Sequence, residues 1–204
     1  YFKEYGNIYI SENGKIVVRE GPNLSEIYSS DNGKLLFTIN NEYDIMGISP
    51  SGKYIITNSN NDHSMVLFSS SEGTQTCKID NWQSSNVCFD NYETKIGVIC
   101  HKVIDVYDIN TNKIINEISG HIGEIESIAL NSDGKYLLSC SNTYSDQSVR
   151  LWNVNTGKQI YKYNIPDIYS IQFCENDSMI RLVTDQTLFA NYGVDTITIY
   201  KIPF

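Results

Sequence analysis

GHIGEIESIALNSDGKYLLSCSNTYSDQSVRLWNVNTGK, the stretch at residues 120–158, decides the fold of this chain. Apolar and small residues mix over residues 125–130 as in a buried strand, and Asp133-Gly134-Lys135 follows as a hairpin turn, since glycine tolerates a positive φ. Three more short runs of strand-like composition follow, at residues 136–140, 149–152 and 159–163. The stretch therefore predicts an antiparallel sheet of four short strands.

The pattern of this stretch recurs along the chain. The last apolar residue of the first strand in each recurrence stands at Ile10, Ile48, Phe89, Leu130 and Phe173, at intervals of 38, 41, 41 and 43 residues. Most of these positions are followed by a turn, at residues 13–15, 51–53, 93–95 and 133–135. The fifth turn, at residues 175–178, contains no glycine. A fixed period of this length is the signature of a repeat array.

A second, independent series marks the end of each third strand with an aromatic residue, at Tyr28, Phe68, Tyr107, Trp152 and Tyr200. Five positions after the first four of these stand residues that accept a left-handed turn conformation, namely Gly33, Gly73, Asn112 and Gly157. The two series agree on five units, at approximately residues 1–40, 41–80, 81–120, 121–164 and 165–204. Each unit is one four-stranded sheet that has to bury its faces against neighbours, and radial stacking of such sheets gives a β-propeller.

Residues 120–158 closely resemble a WD repeat. Gly120-His121 stands where that family has Gly-His, and Leu151-Trp152-Asn153 stands where it has Trp-Asp, with Asn153 replacing the final Asp. Asp146 lies six residues before the tryptophan. The resemblance implies an all-β fold, a β-propeller of four-stranded antiparallel blades, with about five WD-like blades in residues 1–204 as a single propeller domain or propeller segment.

The other units match the family pattern less closely. The second unit keeps Thr57, Asp62 and Phe68 at the positions of Ser139, Asp146 and Trp152, without a Gly-His pair. The third unit keeps Tyr107-Asp108 where the family has Trp-Asp. Membership of the first and fifth units depends on the period alone.

The family's Gly-His histidine, a second-strand Ser or Thr, the turn Asp and the Trp form a hydrogen-bonded tetrad. The resemblance implies the same structural tetrad in this chain, formed by His121, Ser139, Asp146 and Trp152. A histidine beside a serine and an aspartate also fits a nucleophilic triad, but a triad needs an exposed hydroxyl beside an oxyanion pocket. Ser139 lies inside an apolar strand without a glycine-rich nucleophile turn, so we interpret the four residues as structural.

The fifth unit ends in a third strand at residues 197–204, and no fourth strand follows in the sequence. In the WD-repeat family a strand from the start of the chain commonly completes the last blade, and residues 1–4 are a short candidate. The family mostly builds seven blades. We therefore expect part of a larger, seven-bladed type of propeller, with further blades outside this chain or in a companion chain, and additional sequence upstream of Tyr1.

Composition disfavours several classes of function. The net charge of −9 and the scattered basic residues disfavour direct nucleic-acid binding. The five cysteines form no Cys-x-x-Cys pair, which disfavours a zinc site and favours reduced thiols in an intracellular protein, cytoplasmic or nuclear. No apolar run approaches membrane-spanning length, so we expect no membrane contact. Phosphate-loop, dinucleotide, zinc-protease and calcium-loop motifs are absent from the sequence, so we predict no catalytic residue, cofactor or metal.

By resemblance, the loops between blades and between second and third strands lie on the face that partners use. These loops are residues 40–44, 58–63, 80–85, 120–124, 142–147 and 166–169. Their candidate partner-binding residues are Tyr43, Asp44, Trp82, Ile122, Glu124, Tyr144 and Tyr169. Aromatic side chains offer large rigid contact areas, and Tyr144 is the strongest candidate because residues 142–145 lengthen their loop. Trp82 and Tyr169 fit equally well as caps between neighbouring blades.

Together these patterns predict a non-catalytic WD-repeat scaffold that mediates protein–protein interactions within a multiprotein complex. Acidic loop residues favour partners with basic segments. One alternative is a propeller subunit of an RNA-handling complex, in translation initiation or in ribosome or RNA processing. A second alternative is an enzyme of propeller fold. The sequence leaves the partner and the pathway open.

Overall fold

The computed structural model is all-β and describes residues 6–80, 82, 86–185 and 195–201. These residues form five antiparallel sheets, in which neighbouring strands are consecutive in the chain. The candidate closing strand at residues 1–4 lies outside the described residues. The all-β prediction is confirmed.

Four sheets have four strands each. The first contains β1 (Ile8–Ile10), β2 (Ile16–Arg19), β3 (Leu24–Ser29) and β4 (Leu35–Asn40). The second contains β5 (Tyr43–Ile48), β6 (Tyr54–Ser59), β7 (Met65–Ser69) and β8 (Gln75–Ile79). The third contains β9 (Val87–Phe89), β10 (Lys95–Cys100), β11 (Val103–Asp108) and β12 (Lys113–Ser119). The fourth contains β13 (Ser127–Leu130), β14 (Tyr136–Thr143), β15 (Asp146–Asn153) and β16 (Gln159–Asn164).

In the described residues the fifth sheet has three strands, β17 (Ile168–Cys174), β18 (Met179–Asp185) and β19 (Asp195–Lys201). The chain divides into two compact units. The first unit is Tyr1–Trp82 with Ile109–Asn112, and it contains the first and second sheets. The second unit is Gln83–Asp108 with Lys113–Phe204, and it contains the other three sheets.

The core of the first unit lies between its two sheets. Val18 of β2 and Ile27 of β3 are cross-strand partners, and both are fully buried. They pack in one cluster with Ile55 of β6, on the neighbouring sheet. Burying an aliphatic side chain of this size contributes about 1.5–3 kcal/mol. The facing apolar rows therefore hold the two sheets together.

The second unit shows how strand alternation serves two interfaces at once. Leu137 and Leu138 are consecutive on β14, and both are fully buried. Leu137 packs in a cluster with Ile104 of the third sheet, whereas Leu138 packs with Leu182 of the fifth sheet. Successive side chains of a strand point to opposite faces. The fourth sheet is therefore covered on both faces.

The turns between the first and second strands are alike in the first four sheets. They begin at Ser11, Ser49, Asp90 and Asn131. In each turn a side-chain oxygen of this residue accepts the backbone N–H five positions later, at 2.8–3.0 Å. Gly52 and Gly134 take positive φ angles in their turns, and Glu93 takes a φ of 50° in the third. The predicted series of turns is confirmed for these four sheets.

The series of aromatic residues at the ends of the third strands has a structural cause that the sequence pattern did not reveal. A register shift between the third and fourth strands falls immediately before the aromatic residue in each four-stranded sheet, before Tyr28, Phe68, Tyr107 and Trp152. The four residues predicted to be left-handed, Gly33, Gly73, Asn112 and Gly157, have φ of 54–69°. Each aromatic residue thus marks a β-bulge, which re-aims the strand.

The second hairpin of the fourth sheet differs from the sequence prediction. Strands were expected at residues 136–140 and 149–152 with a lengthened loop between them. Instead β14 and β15 pair continuously up to Thr143 and Asp146, which leaves only Tyr144 and Ser145 as the turn. The extra length is therefore in the strands. Apolar alternation could not reveal it, because the added residues are polar and gain their stability from cross-strand hydrogen bonds.

Candidate functional site

The fourth sheet brings His121, Ser139, Asp146 and Trp152 together in one buried network. His121 Nδ1 lies 2.8 Å from Asp146 Oδ2, and His121 Nε2 lies 2.7 Å from Ser139 Oγ. Trp152 Nε1 donates to Ser139 Oγ at 2.8 Å. The four residues are buried, Ser139 completely. Three different parts of the fold supply them: the segment before β13, strand β14 and strand β15.

The hydrogen bonds of the network form one directed chain. Because the ionised Asp146 only accepts, His121 carries its proton on Nδ1 and donates it to the carboxylate. His121 Nε2 is then an acceptor, so the Ser139 hydroxyl donates to it and in turn accepts the Trp152 N–H. Every donor in the chain therefore has an acceptor with a neutral imidazole.

Burial, the strongest influence, lowers the pKa of His121 below its ordinary 6.5, although the hydrogen bond to Asp146 acts in the opposite direction. Burial also raises the pKa of Asp146, but hydrogen bonds led by that from Ser148 outweigh it. The pKa of Asp146 is held well below 3.8 as a result. At neutral pH these shifts favour an ionised Asp146 beside an uncharged His121.

Arg150 belongs to the same network, although the sequence analysis did not identify it. Its Nη2 atom lies 3.1 and 3.2 Å from the two carboxylate oxygens of Asp146, and its Nη1 donates to the Gly120 carbonyl at 2.7 Å. The guanidinium also lies 5.9 Å from the Trp152 ring centre. A charged residue between apolar neighbours in a buried strand was the available signal. Arg150 supplies the positive charge that a buried carboxylate requires.

The second sheet has a different arrangement at the equivalent positions. Thr57 Oγ1 donates to the Val66 carbonyl across the strand pair at 3.0 Å. Val66 stands where the fourth sheet has Arg150, by the register of the two strand pairs. Asp62 accepts the Lys78 ammonium at 2.6 Å near the surface, and this hydrogen bond is the main cause of its lowered pKa. The second sheet therefore reproduces the strand positions without the histidine-centred network.

The buried network also fixes a surface loop, at residues 120–126 before β13. Asp146 Oδ2 accepts the backbone N–H of Ile122 at 2.8 Å, and Lys102 Nζ donates to the Ile122 carbonyl at 2.8 Å. The Ile122 side chain is nevertheless 61% exposed, and Glu124 is exposed beside it. The backbone of the loop is therefore fixed by hydrogen bonds to Asp146 and Lys102, while the side chains of Ile122 and Glu124 face solvent.

Tyr144 lies at the tip of the β14–β15 hairpin and is fully exposed, with a relative exposure of 101%. A shallow cavity of about 260 Å³ lies beside it, lined in part by Gln147, Lys162 and Pro166. Tyr169 is exposed on strand β17, rather than on the loop where the sequence analysis located it. In the second unit, the sequence-predicted partner residues Ile122, Glu124, Tyr144 and Tyr169 are thus all at the surface.

The remaining sequence-predicted partner residues lie in the first unit. Tyr43 and Asp44 are on strand β5 and not in a loop, because pairing with β6 begins at Tyr43. Tyr43 is half-buried and contacts the Phe68 ring edge-on at 5.0 Å. Asp44 is exposed, and Trp82 is half-buried with no hydrogen-bond partner for Nε1 among the described residues. Tyr43 is therefore a packing residue of the second sheet.

Thiol and metal chemistry have little structural basis in the described part of the chain. Burial is the main cause that raises the pKa of Cys88, Cys100 and Cys140 to about 12, so these thiols stay protonated. Among the described residues, no group of three or more His, Cys, Asp or Glu side chains is arranged to hold a metal ion. The same residues include no helix that is long and apolar enough to cross a membrane.

Comparison with known proteins shows related sequences and folds. Residues 112–153 match the family model "WD domain, G-beta repeat". The chain is 31% identical over 103 residues to eukaryotic translation initiation factor 3 subunit I of Schizosaccharomyces pombe, covering 50% of this chain and 30% of that protein. It is 43% identical over 54 residues to human WD repeat-containing protein 36, covering 26% and 6%. It is 26% identical over 97 residues to the striatin homolog of Dictyostelium discoideum, covering 48% and 11%.

The matched regions span less than a third of each of these relatives. Among solved structures, a chain of Kuenenia stuttgartiensis hydrazine synthase superposes with a TM-score of 0.67 at 13% identity, covering 98% of this chain and 64% of that chain. At that identity the likeness concerns the fold alone. With the four-stranded antiparallel sheets, it confirms the propeller class that the sequence predicts.

Proposed function

We propose that this chain is a WD-repeat protein and a non-catalytic scaffold, which binds protein partners within a multiprotein complex. The observation that carries the proposal is the hydrogen bond from the Ile122 N–H to the buried Asp146 carboxylate. It keeps an exposed apolar side chain on a fixed backbone. A preorganised surface loses less conformational entropy when a partner binds.

The binding surface that we propose consists of Ile122, Glu124, Tyr144 and Tyr169 in the second unit. Asp44 and Trp82 are separate candidates in the first unit. Large exposed apolar and aromatic side chains are the usual energetic centres of protein interfaces. The exposed acidic residues Asp44 and Glu124 favour partners that present basic segments. The net charge of −9 supports the same preference and argues against direct RNA binding.

A catalytic role for Ser139 is disfavoured by its surroundings. Its contacts with His121 and Asp146 have the connectivity of a nucleophilic triad. The hydroxyl, however, is completely buried and already accepts the Trp152 N–H, so a substrate has no approach to it. We assign the network a structural role. The WD-repeat relatives support an intracellular location, in the cytoplasm or the nucleus.

The scaffold role can be tested by photo-crosslinking in cells. A benzophenone amino acid at Tyr144 should give discrete protein adducts, and the Ile122→Asp substitution should reduce their yield. Tyr92 is the matched control, because it is 73% exposed in the β9–β10 turn. That turn joins the first and second strands of its sheet, whereas the turn that carries Tyr144 joins the second and third strands of its own sheet. Equal crosslinking from both positions, or none from Tyr144, would contradict the proposed surface.

The similarity to a translation initiation factor subunit favours one second candidate, a structural subunit of a translation-initiation complex. The two candidates differ in the partners that the chain contacts. Co-sedimentation with initiation complexes that depends on Tyr144 would support the subunit role through protein contacts. A salt-dependent mobility shift of RNA by the chain alone would instead favour direct RNA handling.

A further inference from the structure

The fourth strand of each four-stranded sheet lies at an edge, because it pairs with the third strand alone. An edge strand presents unpaired backbone N–H and C=O groups, and charged side chains are a usual protection against pairing with another chain. Strands β8, β12 and β16 each contain a lysine, at Lys78, Lys113 and Lys162. Strand β4, with the sequence LLFTIN, contains no charged residue. It is therefore the least protected of these four edges.

The strand register aligns one central position of the four edge strands. In each sheet this position pairs with the third-strand residue that lies two places before the aromatic residue at the bulge. The residues at the position are Thr38, Lys78, Glu117 and Lys162, in β4, β8, β12 and β16. Thr38 is exposed and uncharged. The first sheet thus lacks a charge where each of the other three has one.

Lys78 shows which way the backbone points at this position. Its N–H donates to Asn112 Oδ1 at 3.0 Å, and Asn112 lies in the β11–β12 turn. The Lys78 N–H therefore points away from β7 and towards the edge of the sheet. Thr38 has the same register on β4 as Lys78 has on β8. The backbone N–H of Thr38 therefore points to the edge of the first sheet.

The side chain of Asn112 covers the edge of β8, and the corresponding residue beside β4 cannot do so. In the series of left-handed turn residues, the one that corresponds to Asn112 in the preceding sheet is Gly73. A Cβ atom at Gly73 would lie 2.8 Å from the Phe37 ring, so the β7–β8 turn lies against β4. Glycine has no side chain that could accept the Thr38 N–H. The edge is thus left open in β4 where it is covered in β8.

A second copy of this chain can pair with β4 about a two-fold axis at Thr38. Antiparallel pairing then puts Thr38 opposite Thr38 of the copy, and Phe37 opposite Ile39. Threonine pairs and aromatic–β-branched pairs both stabilise adjacent strands. The same pairing at the other three edges would put a lysine or a glutamate opposite its own copy, and like charges directly opposite each other are destabilising. Of the four edges, that of β4 is therefore the one that is self-complementary.

The charges next to β4 are complementary in the same arrangement. Lys34 precedes the strand and Glu42 follows it, and both are exposed. Antiparallel pairing brings Lys34 of each copy to the end of the strand that carries Glu42 of the other. The Glu42 carboxylate accepts a neutral donor within the chain, Asn40 Nδ2, at 3.1 Å. Two reciprocal ion pairs are therefore available to the paired strands.

A cleft of about 340 Å³ lies beside the end of β4, and it is lined in part by Leu24, Thr38 and Asn40. In the paired arrangement, Leu36 of the second copy lies opposite Asn40, at this cleft. Leu24 and Leu36 are 40% and 37% exposed in the single chain. Pairing would therefore also remove apolar surface from water, which favours association.

We propose that this chain forms a homodimer in which two copies of β4 pair antiparallel across a two-fold axis at Thr38. The first sheets of the two copies then form one continuous sheet. A two-fold interface requires a surface that complements itself, and here the central threonine, the Phe37–Ile39 pair and the Lys34–Glu42 pair all do so. The dimer surface is separate from the partner surface proposed for the second unit and does not depend on it.

Light scattering of residues 1–204 tests the dimer. Lys34→Glu and Glu42→Lys should each weaken dimerisation by at least about tenfold, because two attractive charge pairs become repulsive. An equimolar mixture of the two variants should restore dimers that contain one copy of each, because every charge then meets an opposite one. Native mass spectrometry identifies such mixed dimers. Lys15→Glu and Glu12→Lys are the matched controls, since both residues are exposed in the β1–β2 turn, and neither should change dimerisation.

Variants at the axis test the strand pairing itself. Thr38→Lys should give monomers, because it puts two ammonium groups opposite each other at the centre of the interface. Thr38→Val should remain dimeric, because it keeps the shape of the side chain without adding a charge. Position 38 is exposed, so both variants should fold as the wild type does, which circular dichroism checks.

Three results would overturn the proposal. The first is a wild-type chain that stays monomeric up to its solubility limit. The second is a dimer that neither Thr38→Lys nor Lys34→Glu weakens, because the contact would then lie on another surface. The third is a mixture of Lys34→Glu and Glu42→Lys that stays monomeric, because the two charges would then not meet across the axis.

Discussion

The backbone N–H of Ile122 donates to Asp146 Oδ2 at 2.8 Å, so a residue whose side chain is 61% exposed is anchored on a fully buried carboxylate. Asp146 also joins His121 and Arg150. Substitutions inside the fourth sheet should therefore alter both the stability of the second unit and the order of its surface loop.

Replacing His121 with Leu should lower the free energy of unfolding of the second unit by about 2–4 kcal/mol. The change leaves the Ser139 hydroxyl without its acceptor and removes one donor from Asp146. Denaturant unfolding followed by Trp152 fluorescence measures the effect. His101→Asn is the control, since His101 is exposed in a turn at a φ of 59° that asparagine tolerates. A loss of stability no greater than that of the control would exclude the network as a source of stability.

Stability should fall as the pH is lowered through 6.5, because the pKa of His121 is lower in the folded state. Below pH 6.5 the unfolded chain binds a proton at this histidine that the folded chain does not yet bind, so acid favours unfolding. The contribution is complete above pH 6.5 and is lost as the pH falls toward the folded-state pKa. Unfolding curves at several pH values should show the difference between wild type and His121→Leu shrinking as the pH falls. A constant difference would contradict the lowered pKa.

Asp146→Asn should lower the free energy of unfolding of the second unit more than Arg150→Met does. Removing the carboxylate leaves the buried Arg150 guanidinium without its counter-ion, a change that costs about 3–5 kcal/mol in buried pairs. Removing Arg150 leaves Asp146 with its other donors, among them the Ile122 N–H. The double variant should lose less than the sum of the two single variants.

The same two variants distinguish the effect of the hydrogen bond between the Ile122 N–H and Asp146 from the general stability of the second unit. Hydrogen exchange at the Ile122 amide should accelerate strongly in Asp146→Asn and little in Arg150→Met. Equal exchange rates in the two variants would mean that Asp146 does not hold the loop.

Gly120→Ala should destabilise the second unit by about 1–3 kcal/mol. Gly120 has a φ of 148°, and a Cβ atom there would lie 2.9 Å from the Trp152 ring. Gly47→Ala is the matched control, because an added Cβ meets nothing within 4 Å and the backbone conformation is ordinary. That control should be neutral or slightly stabilising, since it restricts the unfolded chain. Similar unfolding midpoints for the two variants would contradict the clash with Trp152.

The sequence by itself determined the elements that depend on neighbours along the chain. The five repeats could be followed because strand alternation, turn residues such as Asn131 and left-handed positions such as Gly157 act within a few residues of each other. The WD resemblance also singled out His121, Ser139, Asp146 and Trp152, whose contacts are fixed by motif positions. Both sources of information are local or family-wide patterns.

Only the tertiary structure decided how strands meet. The inclusion of Arg150 in the network depends on its register opposite Ser139, and the packing role of Tyr43 depends on its pairing with β6. Register and stacking join residues that are distant in sequence, and a one-residue shift would send each side chain to the other face. For that physical reason, the pattern of single strands could not have identified the contacts of Arg150 and Tyr43.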